Sequence, residues 1–173
     1  MNIIIRPITA EDVPALSAMA RETFYKTFTG TCSEEDMQQF LDKHYNEQQL
    51  LNEVTMDNNH FFFAVLDGEP VAYLQFMEDY SGLPLMKKWK ALELKRIYVL
   101  DKFHGQGIAQ MLIEYCIDFA KNNGYEVVWL GVWEHNLRAH KFYAKYGFED
   151  SGHTHDFPIG NTPQTDNWLW KFL

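Results

Sequence analysis

The chain has 173 residues, enough for one domain with a full-sized core, and its 46% hydrophobic and 23% charged residues are the balance of a soluble globular protein. A formal net charge of -9 disfavours broad nucleic-acid binding, which needs a basic surface. No apolar run approaches the ~20 residues of a membrane helix.

An acidic surface attracts cationic small molecules, although solubility alone also accounts for it. The start, Met1 to Arg6, carries no basic stretch followed by a long apolar one, so no secretion signal is expected. Cys32 and Cys116 are too few and too far apart for a disulfide framework. Two reduced thiols and a cytoplasmic location are the simpler expectation.

Ile3 to Arg6 reads as a first strand. Thr9-Ala10-Glu11-Asp12 resembles a helix start, and Pro14 is tolerated only in the first turn. Val13, Leu16, Met19, Ala20 and Phe24 then form one apolar stripe. Ser33-Glu34-Glu35-Asp36 is a second capping signal, leading into Met37, Phe40, Leu41 and Tyr45, and a short helix follows from Glu47 to Val54. His60 to Leu66 is β-rich, Asp67-Gly68 is a hairpin turn, and Val71 to Met77 returns antiparallel. Asp79 to Lys90, with Gly82 and Pro84, reads as a loop long enough to be functional.

Ala91 to Val99 is the next strand. Leu92 and Leu94 share one parity, whereas Ile97 and Val99 have the other. A one-residue β-bulge near Arg96 reconciles them, and a strand buried on both faces would need no such device. The strand passes through His104-Gly105-Gln106-Gly107-Ile108-Ala109 into a helix. Such a junction leaves backbone N–H groups unpaired where the helix dipole favours negative charge, so a diphosphate is its natural guest. The turn lacks the GK[ST] of a nucleotide P-loop and the third glycine of a dinucleotide fingerprint.

Ile108, Met111, Leu112, Tyr115, Cys116, Phe119 and Ala120 give an amphipathic helix ended by Asn123-Gly124, with Cys116 on its buried stripe. Glu126 to Trp133 is a strand expected to lie parallel to Ala91–Val99 through a right-handed crossover. Asn136 can cap a helix through Tyr146, and Phe148 to Phe157 and Trp168 to Leu173 are the last two strands.

These elements, in this order, resemble the GNAT N-acetyltransferases over nearly the whole chain. The family's phosphate turn is Gln or Arg, two residues, Gly, one residue, Gly or Ala. Here His104 departs at the first position, and the glycine and small-residue positions are kept. Asn136-Leu137-Arg138-Ala139-His140-Lys141-Phe142-Tyr143-Ala144-Lys145-Tyr146-Gly147-Phe148 is similar to the family's second motif. A nearer resemblance is to bacterial PaiA-type polyamine acetyltransferases. It is carried by Glu22-Thr23-Phe24, Phe61-Phe62-Phe63, Leu92 to Val99, Trp129-Leu130-Gly131-Val132-Trp133-Glu134, Gly152-His153 and Gln164-Thr165-Asp166.

The resemblance implies an α/β fold in one domain over residues 1–173. Its sheet is mixed and splayed, with six or seven strands, a bulged fourth strand and about four flanking helices. It also implies acetyl-CoA as co-substrate, no metal, and N-acetylation of spermidine- or spermine-like amines. The thioester carbonyl becomes an oxyanion when an amine attacks, and an N–H freed by the bulge, that of Val99, can stabilise it. Main-chain groups of Ile97 and Val99, with Tyr98 between them, can pair with the pantetheine arm as an extra strand would. The turn of His104, Gly105, Gln106, Gly107, Ile108, Ala109 and Gln110 takes the diphosphate, and Asn136 can bond the cofactor arm.

An alkylamine with a pKa near ~10.4 is only about one part in ~10³ neutral at pH 7, so a base helps. Glu93 is the candidate, because the resemblance places a base at this position in many relatives; by residue type alone it reads first as a solvated strand carboxylate or a partner for Lys95 or Arg96. Tyr143 sits at the family's general-acid position and is otherwise a core aromatic. His153 and His155 lack further ligands at metal-binding spacing. Arg138, Lys141 and Lys145 can reach the cofactor's phosphate or remain solvated. Glu34, Glu35, Asp36, Glu78 and Asp79 can line an amine entrance, and Tyr80 and Trp89 can pack on a methylene chain. Other acceptors are a protein N-terminus, a lysine side chain or an aminoglycoside, and a non-catalytic acyl-CoA-binding regulator is a separate possibility. Relatives are often dimers, so the apolar tail Trp168 to Leu173 is either part of a homodimer interface or an internal strand.

Overall fold

A computed structural model describes residues 2–173. Among them, β1 (Ile3–Pro7), β2 (Asn59–Leu66), β3 (Glu69–Met77), β4 (Ala91–Val99), β5 (Val127–Trp133), β6 (Glu149–Asp156) and β7 (Thr165–Phe172) form one sheet. Its order is β1-β2-β3-β4-β5-β7-β6. β4 and β5 are parallel, and the other neighbours are antiparallel. The helices α1 (Val13–Phe28), α2 (Glu34–His44), α3 (Glu47–Val54), α4 (Ile108–Asn122) and α5 (Leu137–Lys145) cover its two faces. No helix of the described residues is long and apolar enough to cross a membrane.

Local chemistry sets the boundaries. Ser33 and Asn46 cap α2 and α3, accepting from the Asp36 and Gln49 N–H groups. Asp67 and Gly68 both have positive φ, 50° and 93°, as a two-residue hairpin turn requires. α1 begins at Val13, after a short 3-10 turn over Ala10–Asp12. One expectation is corrected. The stretch from Asp79 to Lys90 holds a 3-10 turn at Pro84–Lys88, anchored by the fully buried Met86. Tyr80 and Trp89 pack with Trp129, Trp168 and Trp170 in that region, so they serve as core there.

The bulge falls where the parity argument requires it. Gln75 pairs with Arg96 and Phe76 with Leu94, which leaves Lys95 as the extra residue. Leu92, Leu94, Ile97 and Val99 therefore all meet the cluster formed with α4 and α5, which includes Leu112, Ile113 and Cys116. Tyr98 falls on the other face with Phe63, Tyr73 and Leu16. Truncating a fully buried leucine such as Leu112 to alanine removes about 2–5 kcal/mol.

The site exists because β4 and β5 part company. They pair only over Ala91–Glu93 and Val127–Trp129. β5 then pairs with β7 from Val127–Phe172 to Trp133–Asp166. The apolar tail is thus an internal strand, and it starts three residues earlier than its hydrophobic run suggests.

Candidate active site

The glycine turn has the conformation that diphosphate binding needs. Gly105 and Gly107 have φ of 78° and 80°, and space is open where a side chain would project from either. Gly107 precedes α4, and its carbonyl accepts from Met111 N–H at 3.1 Å. The N–H groups of residues 105–110 find no partner among the described residues. A cavity of about 240 Å³ lies over this turn, with Arg138 and Lys145 of α5 on its wall. Lys141 does not line it. Free donors, a helix dipole and two cations fit an anionic carrier such as the coenzyme A diphosphate.

His104 closes the turn onto β4. Its Nε2 lies 2.8 Å from the Val99 carbonyl and its Nδ1 lies 3.2 Å from Arg138 Nη1. The tautomer with the proton on Nε2 satisfies both contacts. The Val99 carbonyl therefore already accepts one hydrogen bond and keeps one acceptor site. The Val99 N–H stays available. Leu100 N–H donates to Val71 at 3.0 Å, so residues 98 and 100 turn their main-chain groups to β3. By antiparallel alternation, those of Ile97 and Val99 turn toward the β4–β5 opening. Tyr98 contributes its side chain, which stacks on Tyr73 at 5.7 Å.

A second cavity, about 420 Å³, runs from this turn into the opening, past Ile97, Val99, Ala109, Asn136 and Tyr143. Asn136 Oδ1 accepts from Ala139 N–H at 3.1 Å, capping α5, so only its Nδ2 is left to donate to a ligand. Tyr143 is 7% exposed, its ring packed in the core on Phe142 and Phe148 and its hydroxyl without a hydrogen-bond partner among the described residues. Burial holds its pKa well above the ordinary value, so it keeps its proton.

The third cavity, about 380 Å³, shares Ile97, Trp133, Asn136 and Tyr143 with the second and continues between α1 and the β5–β7 pair. Its walls are aromatic, and Glu93 projects into it. Glu93 is 6% exposed. Its Oε2 lies 3.4 Å from Lys95 Nζ, outside hydrogen-bond geometry, and has no other partner. Burial pushes the Glu93 carboxyl up to about 7, against the pull of Lys95 and with a push from Asp79. Lys95 is held by Asp79 at 2.8 Å, which ties Asp79 to the same corner. Glu34 and Glu35 remain exposed surface carboxylates.

Asp166 is a cavity residue that sequence reasoning noted only as a mark of resemblance. The available signal is parity: Asp166 alternates with Trp168 and Trp170, so a carboxylate continues the face those indoles form. His155 also lines this cavity and stacks on Trp168 at 5.2 Å.

A family model described as the acetyltransferase (GNAT) family matches residues 18–148. An "uncharacterized N-acetyltransferase in pepI 3'region" of Lactobacillus delbrueckii subsp. lactis is 36% identical over 172 residues, 99% of this chain and 98% of its own. The spermidine N(1)-acetyltransferase of Thermoplasma acidophilum is 28% identical over 153 residues, 86% of this chain and 89% of its own. The crystal structure of the PaiA N-acetyltransferase of Thermoplasma acidophilum in complex with coenzyme A has a TM-score of 0.81 over 100% of both chains, at 24% identity, a likeness of fold. The matched region takes in the bulged strand, the glycine turn and Tyr143, and with it the chain belongs to the GNAT family of acetyl-CoA-dependent N-acetyltransferases.

Proposed function

We propose that this enzyme acetylates a primary amine of a polyamine such as spermidine or spermine, by direct attack and with no covalent enzyme intermediate. One observation carries the reading. The groove that fits the cofactor opens at Tyr143 into an aromatic cavity that holds a buried carboxylate, Glu93, whose Oε2 accepts no hydrogen bond. A relative named for spermidine acetylation over most of its length adds support.

Acetyl-CoA supplies an acetyl group activated as a thioester, with a leaving thiol of pKa near ~8.5. The N–H groups of residues 106–110, with Arg138 and Lys145, hold its phosphates, the outward-turned groups of Ile97 and Asn136 Nδ2 orient its arm, and the Val99 N–H stabilises the oxyanion that forms on the thioester carbonyl. Glu93 takes the ammonium proton, directly or through water. A carboxyl poised near neutrality is matched to that task. Tyr143 keeps its proton until the thiolate departs and donates it there. The aromatic walls exclude water and cover an aliphatic chain. Both thiols, Cys32 and Cys116, are free, in keeping with a reducing, cytoplasmic setting.

The test is thiol release from acetyl-CoA across spermidine, spermine, a lysine peptide, a peptide N-terminus and an aminoglycoside. The expected result is a kcat/KM for spermidine at least tenfold above that of any peptide. Preference for a peptide or an aminoglycoside overturns the acceptor, and coenzyme A binding without thiol release on any amine points to a regulator.

A further inference from the structure

Asp166 pairs across the sheet with Trp133 of β5 and His155 of β6. It shares the face away from α4 with Gly131, Trp168 and Glu93. Its side chain leans back along β5. Asp166 Oδ2 lies 2.9 Å from the place a Cβ on Gly131 would take, and the Trp168 ring lies 2.8 Å from it. Only glycine at 131 lets the carboxylate and the indole lie across β5. Glu93 pairs with Trp129, so Gly131 stands one strand over and two residues on. Strand geometry puts the Glu93 and Gly131 backbones ~8 Å apart.

Both carboxylates open on the same cavity. Glu93 Oε2 is buried there without a hydrogen-bond partner. Nothing offsets the burial of Asp166, which pushes its carboxyl up to about 7. Its cross-strand neighbour His155 places its ring on Trp168, with 21° between the planes. The two cations at the cavity have carboxylates of their own. Lys95 is paired with Asp79 and Arg96 with Glu53, each at 2.8 Å, and the Arg96 guanidinium also lies 4.9 Å above the Tyr45 ring. Lys95 also lies 3.4 Å from Glu93 Oε2, so Asp166 is the cavity carboxylate left without a cation beside it.

We propose that Asp166 receives a second ammonium group of the acceptor, so that the enzyme selects amines with two nitrogens a short methylene chain apart over monoamines of the same length. This deepens the polyamine reading above and rests on it. Phe and Trp rings line the same cavity, where they can cover the methylenes and face the cations. An ammonium against Asp166 favours the ionised carboxylate, so the pair forms with full charge on both sides.

The experiment compares putrescine with n-butylamine, which differ only in the second nitrogen, by kcat/KM in the wild type, Asp166→Asn and Asp166→Glu. The wild type is expected to prefer putrescine at least tenfold. Loss of one charge-assisted contact should lower that preference about ten- to a hundredfold in Asp166→Asn, through KM for putrescine, and Asp166→Glu should restore part of it. An undiminished preference in Asp166→Asn overturns this role while leaving the polyamine reading intact. Should that variant not fold, the wild-type ratio decides, and a ratio near one overturns the role. A wild type that favours peptides over both amines overturns the acceptor reading itself, and this inference with it.

Discussion

Glu93→Gln separates a buried base from a buried spectator by two independent readouts. Burial pushes the carboxyl from its ordinary 4.5 up to about 7. The folded state therefore holds this proton more tightly than the unfolded chain does. The associated stability is fully present below pH ~4.5 and is lost as pH rises through about 7. At ~1.4 kcal/mol per unit, ionising Glu93 removes about 2 kcal/mol of stability between about pH 5 and pH 8. Glutamine cannot ionise. Its own packing adds a constant, so the stability difference between variant and wild type should shift by that amount in the variant's favour over the same span. Urea unfolding followed by tryptophan fluorescence at the two pH values measures it. A base must also be ionised to act, so wild-type kcat/KM should rise with pH through about 7. In the variant kcat/KM should fall ~10²–10³-fold at pH 7 and lose the inflection near 7, keeping only the steady rise that follows the neutral fraction of the amine. A stability difference that does not move with pH would refute the burial argument. An unchanged rate with an unchanged pH limb would refute the base.

Tyr143→Phe keeps the ring packing and removes the proton donor, so kcat should fall ~10²–10⁴-fold with KM for acetyl-CoA within a few-fold; an unchanged rate removes Tyr143 from the mechanism. Gly131→Ala puts a methyl 2.8 Å from the Trp168 ring and 2.9 Å from Asp166 Oδ2. It should lower stability by about 1–3 kcal/mol and raise KM for the amine more than for acetyl-CoA, as steady-state kinetics and thermal melts would read. Gly107→Ala forces a side chain to φ of 80° and should remove about 1–2 kcal/mol, with calorimetry showing coenzyme A affinity weakened about tenfold. Glu53→Gln leaves Arg96 without the carboxylate 2.8 Å away and should destabilise the fold by about 3 kcal/mol in urea.

Most of the fold was legible because its signals are local. The opposed parities of Leu92 and Leu94 and of Ile97 and Val99 pointed to a bulge or to a strand buried on both faces, and the pairing of Gln75 with Arg96 and Phe76 with Leu94 decides for the bulge. Asp67-Gly68, Ser33 and the stripe on α4 marked their elements in the same way. The turn from His104 to Gln110 was legible as a phosphate site because glycine conformations and unpaired N–H groups are properties of a short segment. Three things were not legible. The insertion of β7 between β5 and β6 depends on long-range pairing, which no local pattern of Trp168 to Phe172 encodes. Asp166 and Glu93 lie 73 residues apart in the chain and share a cavity only because β5 is paired with both of their strands. The contact of His104 with both Val99 and Arg138 joins three elements, so its side chain read as a mere departure from the family's turn.

The central claim is that the main-chain N–H groups at 105–110 and those turned into the β4–β5 opening hold the coenzyme A carrier. Amide hydrogen exchange with and without coenzyme A tests it directly. These unpaired amides should exchange rapidly in the free protein and slow at least tenfold when coenzyme A is added, with the Ile97 and Val99 amides slowing alongside. Exchange at 105–110 that is equally fast with saturating coenzyme A, or already slow without it, would contradict the account.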